Sequence, residues 1–201
     1  MKRLLALLTL ALLLTGCSGL RLVESQVRAS VAADAAIESG ARYRFERLPS
    51  QTDAVQTDSV EAIAEAELAA VGLVRDDAQP RYAVQLSTRM EPFLADDWGR
   101  PYGSGSGVTG TIVIGTGSAV YAPGTMVGMG MRFPPSSQYR HEVTLLLREL
   151  SSGRIVYETR AVHEGPWSDR YNILRAVLAA ALKDFPHPPA GSRRVKVEIP
   201  R

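Results

Sequence analysis

The chain has 201 residues, a formal net charge of +2, 45% hydrophobic and 22% charged residues, three histidines and a single cysteine. These are ordinary globular proportions, with enough length for one domain with a real core. They exclude a disulfide within the chain, and the overall charge gives no reason to expect nucleic acid or an anionic membrane surface as partner.

The chain opens MKRLLALLTLALLLTGC. Lys2 and Arg3 are a positive n-region, Leu4 to Leu14 an apolar h-region of about 11 residues, and Thr15-Gly16 the small residues before a cut, which is the layout of a secretory signal peptide. The apolar run is too short for the roughly 20 residues that span a bilayer. The Leu14-Thr15-Gly16-Cys17 end resembles the lipobox of bacterial lipoproteins. That resemblance implies cleavage after Gly16, lipidation of Cys17 on sulfur, and acylation of its new amino group. It also implies, from Ser18 in place of Asp, a lipid anchor in the outer membrane, on its periplasmic face. A lone unmodified thiol in an oxidising compartment would be a liability. Without residues 1–16 the chain carries 21 basic and 21 acidic residues, so its pI of 8.8 overstates the mature basicity.

Residues 17–35 are expected to be the lipidated end and a tether that runs into a first strand, with Val23, Val27 and Val31 apolar. ARYRFERLP (41–49) alternates, with Tyr43 and Phe45 one way and Arg44 and Glu46 the other, so a half-buried strand closed by Pro49 is predicted. Val60, Ile63, Ala64, Leu68 and Val71 recur on one helical face. Asp58 with Glu61 has the spacing of a capping box at its start, and Gly72 suits its end. RYAVQLSTRM (81–90) alternates again, with Tyr82, Val84 and Leu86 inward.

Residues 103–131 differ. No charged residue occurs between Arg100 and Arg132, and nine glycines fall within 103–131. Gly105-Ser-Gly107-Val-Thr-Gly110 spells G-x-G-x-x-G, but a strand-like TIVIG follows where a dinucleotide site needs a helix. Two readings stand: a glycine-loosened exposed loop, or a low-charge hairpin that touches a partner or a membrane. In the second, Ile112, Ile114, Tyr121, Met126 and Met129 are the candidate contact residues, since grouped apolar side chains on a loop mark interaction sites and methionine suits adaptable surfaces. Trp98 and Trp167 are expected as packing or rim residues.

HEVTLLLREL (141–150), Ser151-Ser152-Gly153 and RIVYETRAVHEG (154–165) predict a β-hairpin. It brings His141 opposite His163, with Glu142 and Glu164 beside them. The plain expectation for these four is a set of solvated strand-end residues; the sharper one is an acid–histidine patch. Ser168 and Asp169 offer a helix cap. Ile173, Leu174, Val177, Leu178, Ala181, Leu182 and Phe185 form a buried stripe that Pro186 ends. VKVEI (195–199) is either a short terminal strand or loose.

Two helices with four to six strands predict an α+β domain: a twisted, mostly antiparallel sheet with both helices on one face. The expected bounds are 36–190 for this single domain, with a glycine-rich insertion at 99–134 and a C-terminal tail at 191–201. Four features together resemble the bacterial envelope lipoprotein family known as domain of unknown function 4136. They are the lipobox with YRFERLP, the helix end Leu68-Ala-Ala-Val-Gly72-Leu73 before Tyr82-Ala-Val-Gln-Leu, the hairpin LRELSSGRIVYETRAVHEG, and the close Lys183-Asp184-Phe185-Pro186-His-Pro-Pro. The likeness covers about 40–190, with Glu149 near the usual Asp and Tyr157 at the usual Trp. It implies fold and location but no activity.

No Walker loop, nucleophile elbow or metal-ligand spacing occurs, so neither catalytic residues, a cofactor nor a metal is expected. The expected function is a non-enzymatic binding or accessory module of the envelope, held to the membrane through Cys17, with an envelope protein as partner. The alternative is a carrier of a small molecule or lipid.

Overall fold

The computed structural model describes residues 19–49, 51, 54–95, 113–119, 122–128 and 136–200. In chain order the elements are β1 (Leu20–Val31), β2 (Arg42–Phe45), α1 (Ala54–Ala70), β3 (Val74–Arg75), β4 (Tyr82–Ala95), β5 (Val113–Ala119), β6 (Ala122–Gly128), β7 (Ser136–Glu149), β8 (Ile155–Gly165), α2 (Arg170–Ala181) and β9 (Ser192–Pro200). The fold is α+β. Seven strands form one mixed sheet in the order β3-β2-β4-β7-β8-β1-β9, and β5 and β6 pair separately.

The sheet is mostly antiparallel, as its alternating strands predict, but β2 runs parallel to both β3 and β4. Parallel neighbours need a crossover connection, and α1 supplies it. Strand patterning sets the buried face by period two. Val143, Leu145 and Leu147 of β7 are buried, as are Tyr157, Thr159 and Ala161 of β8. They share a core with Val60, Ala64 and Leu68 of α1 and Ile173, Val177 and Leu178 of α2.

Several local expectations hold. Asp169 caps α2, its carboxylate accepting from the Asn172 backbone N–H. Gly72 follows α1 at φ +88°, and Gly153 turns the β7–β8 hairpin at φ +72°, a conformation open to glycine at little cost. Others change. Helix α1 begins at Ala54, so Asp58 and Glu61 are not its cap. Arg47, just past β2, claims both carboxylates, gripping Glu61 in a fork at 2.7 and 2.8 Å.

The sheet also reaches beyond 36–190 on both sides. Most of 17–35 is β1, the strand into which the tether is expected to run; it begins at Leu20, leaves little of the stretch as tether, and pairs along its length with β8 and β9. Of the two readings of 195–199 the strand is the one that forms, and it extends through most of the expected tail as β9, an edge strand of nine residues. Among the described residues, no helix is long and apolar enough to cross a membrane.

Candidate functional site

The β7–β8 register sets His141 directly opposite His163, as the hairpin reading requires. On either side the register continues: Met90 of β4 faces His141, and Ser25 of β1 faces His163. One row thus crosses four strands as Met90, His141, His163, Ser25. The solvated reading of the histidines fails. Each is only 4% exposed, and Ser25 is fully buried. Odd-numbered residues of β1, β7 and β8 turn inward, and all three polar residues fall on that parity.

The rings lie 6.2 Å apart and tilted by 38°. Trp167, just past β8, stacks on His163 at 6.1 Å and 6°. His163 Nδ1 lies 2.7 Å from the Glu24 carbonyl oxygen. A carbonyl only accepts, so Nδ1 carries the proton and donates it, and the tautomer is set. Gly165 gives the ring its room: a Cβ there would stand 2.8 Å from His163 Nε2. Burial pushes the His141 pKa down, against a smaller upward pull from a hydrogen bond to the Trp167 backbone.

The Nε2 atoms of both histidines and Ser25 Oγ are buried without a hydrogen-bond partner. Each such atom costs on the order of 1–3 kcal/mol, so the row is held at the expense of stability. The acid–histidine patch does not form. Glu142 accepts from Arg160 Nε at 2.8 Å, which holds its carboxyl below the usual range, and Glu164 lies 3.5 Å from Arg140. By strand alternation these acids point to the opposite face of the sheet from the histidines. Among the described residues no group of three or more His, Cys, Asp or Glu could hold a metal ion. His141 can take up a proton only by charging a packed interior.

The row also marks a level in the sheet. Five residues beyond it stand Leu20 in β1, Ser136 in β7 and Ala95 in β4, and Pro200 of β9 pairs with Leu20. The segment 96–135 therefore leaves and re-enters the sheet at the end where β1 begins. The start of α2 is tied to that end as well, through Arg21 and Asp169 at 3.2 Å.

Of the residues singled out in the sequence, Cys17, Ile112, Tyr121 and Met129 lie outside the described residues, as do Trp98 and the G-x-G-x-x-G stretch. Ile114 and Met126 lie in the β5–β6 ladder, opposite Val127 and Gly115 respectively. Within 103–131, β5 and β6 pair antiparallel over seven residues each. Ser25 joins the site without a sequence motif; its one signal is the alternation Val23, Ser25, Val27, Ala29 in β1.

Two other clefts are open and lined largely by polar groups. One, of about 270 Å³, lies beside α1 among Glu46, Gln51, Glu61 and Thr88. The other, of about 610 Å³, lies among Gln26, Arg28, Arg140, Glu158 and Arg160.

A family model described as "Domain of unknown function (DUF4136)" matches residues 27–187. No curated protein matches the chain in sequence. Among solved structures, a PDZ domain protein from Parabacteroides distasonis is similar at a TM-score of 0.55 and 12% identity, over 94% of this chain and 41% of that one. The chain thus spans less than half of that structure, and the likeness is one of fold. A PelC dodecamer from Paraburkholderia phytofirmans is similar at a TM-score of 0.42 and 16% identity, over 79% of this chain and 94% of that one.

Proposed function

We propose that this chain, which belongs to the DUF4136 family, is a lipid-anchored envelope protein that acts as a non-enzymatic binding or accessory module at the periplasmic face of the outer membrane. The observation that carries this reading is the position of Leu20. The first strand of the sheet begins three residues after the lipobox cysteine. Three residues extend at most roughly 11 Å, so acyl chains on Cys17 would hold the folded sheet against the bilayer rather than on a long leash. Three chains exceed the two-signal threshold for stable anchoring.

The binding reading is preferred to the carrier reading because the interior is filled by side chains of both helices and the sheet, and the clefts described above are open to solvent rather than enclosed. The helices cover the buried face of the sheet. That arrangement is supported by Tyr157 and Thr159, whose hydroxyls both donate to the Ala181 carbonyl of α2, and by exposed Arg28, Glu158 and Arg160 on the other side. The partner is expected to engage the charge-free segment through Ile112, Ile114, Tyr121, Met126 and Met129.

Replacing Cys17→Ser tests the anchor in cells. The protein is expected to move from the detergent-extracted membrane fraction to the soluble periplasmic fraction. A variant that still requires detergent would overturn the reading.

A further inference from the structure

We infer that the end of the sheet bearing Leu20 is itself a membrane-contacting surface, with the bilayer entered by the Cys17 acyl chains as its partner. This inference rests on the anchor reading and adds to it a specific orientation of the domain. Two observations converge. The first is distance: Leu20 follows Cys17 by three residues, so the rim of the sheet cannot leave the headgroup region.

The second is what the rim carries. Leu20, Leu22, Leu94 and Tyr171 are 56%, 46%, 50% and 49% exposed. They come from β1, β4 and the first turn of α2, which are far apart in sequence. The register brings Leu20 and Leu94 to one end of the sheet, and the Arg21–Asp169 pair brings the start of α2 there. Leucine and tyrosine side chains at one level suit the boundary between headgroups and acyl chains.

At the far end of β1, Ile155 is 49% exposed. It lies more than ten residues along the sheet from the rim, a distance of about 35 Å at the rise of a strand, and so serves as the contrast position.

The test uses the lipidated full-length protein. Its only natural cysteine is Cys17, which the acyl group blocks, so an introduced cysteine is the one free thiol. Val74, 51% exposed, pairs with Arg42 at the same far end of the sheet and is a second contrast position. Leu94→Cys, Tyr171→Cys, Ile155→Cys and Val74→Cys are each labelled with an environment-sensitive dye and reconstituted into vesicles of phosphatidylethanolamine and phosphatidylglycerol. Emission at positions 94 and 171 is expected to shift to the blue and to be quenched by lipids carrying a shallow nitroxide. Positions 155 and 74 should stay unshifted and unquenched.

If the protein floats with vesicles but all four positions behave alike, the anchor stands and the oriented contact is overturned. A blue shift at 94 and 171 that grows with protein density and is insensitive to the nitroxide lipid would assign the surface to a second copy, and also overturns it. Protein that fails to float with vesicles overturns the anchor and the orientation together.

Discussion

Gly165→Ala probes the packing of the histidine row. The added Cβ would lie 2.8 Å from His163 Nε2, 3.2 Å from its Cε1 and 3.6 Å from Trp167 Cε3. Ordinary contact needs about 3.5 Å, so the ring must retreat by well over half an ångström. It has nowhere to go. Nδ1 is bonded to the Glu24 carbonyl at 2.7 Å, Trp167 covers one ring face, and the residue is 4% exposed. Overpacking of this kind costs about 1–3 kcal/mol. Loss of the Glu24 bond would add about 1 kcal/mol, and the stiffer unfolded chain returns about 0.4–1 kcal/mol. The net expectation is a loss of about 1–3 kcal/mol by urea unfolding of the Cys17→Ser protein. The control is a double-mutant cycle. In a His163→Ala background the space is open, and Gly165→Ala should cost less than about 0.5 kcal/mol. Equal costs in the two backgrounds, or a near-neutral single variant, would refute the packing argument.

Other outcomes follow from the same structure. His141 is held below its ordinary value of 6.5 by burial, so the unfolded chain binds this proton more readily than the folded one. Stability should be full above that value and fall as pH drops below it, by at most about 1.4 kcal/mol per pH unit for one group. His141→Phe should flatten this slope between pH 7 and 5, which denaturation at a series of pH values would show. Leu178→Ala, at a fully buried position of α2, should cost about 2–5 kcal/mol in the same urea assay. Thr159→Val removes a 2.9 Å bond to the Ala181 carbonyl and should cost about 1 kcal/mol, with the midpoint lowered and the urea slope unchanged.

The parts legible in the sequence are those set by local pattern. The β7–β8 hairpin and α2 follow from Val143, Leu145, Leu147 and from Ile173, Val177, Leu178, because period alone chooses the buried face. The opposition of His141 and His163 follows from the hairpin turn. Their burial does not, since the cover comes from β1, far away in sequence, and from Trp167 beyond the strand. Ser25 is hidden in the same way: β1 mixes serine and alanine with valine, and only pairing with β8 and β9 shows where the tether ends and the strand begins. Helix α1 begins at Ala54, ahead of Asp58 and Glu61, and the two acids whose spacing suggests a cap are taken instead by Arg47 from outside the helix. The parallel placement of β2 depends on a crossover that no strand pattern records.

The central claim is the attachment at Cys17, and mass spectrometry of the membrane-extracted protein reads it directly. Trypsin should release an N-terminal peptide that starts at Cys17, ends at Arg21, and carries a diacylglyceryl group on sulfur with an acyl group on nitrogen. An unmodified Cys17, or a mature chain that begins at any other residue, would contradict the account.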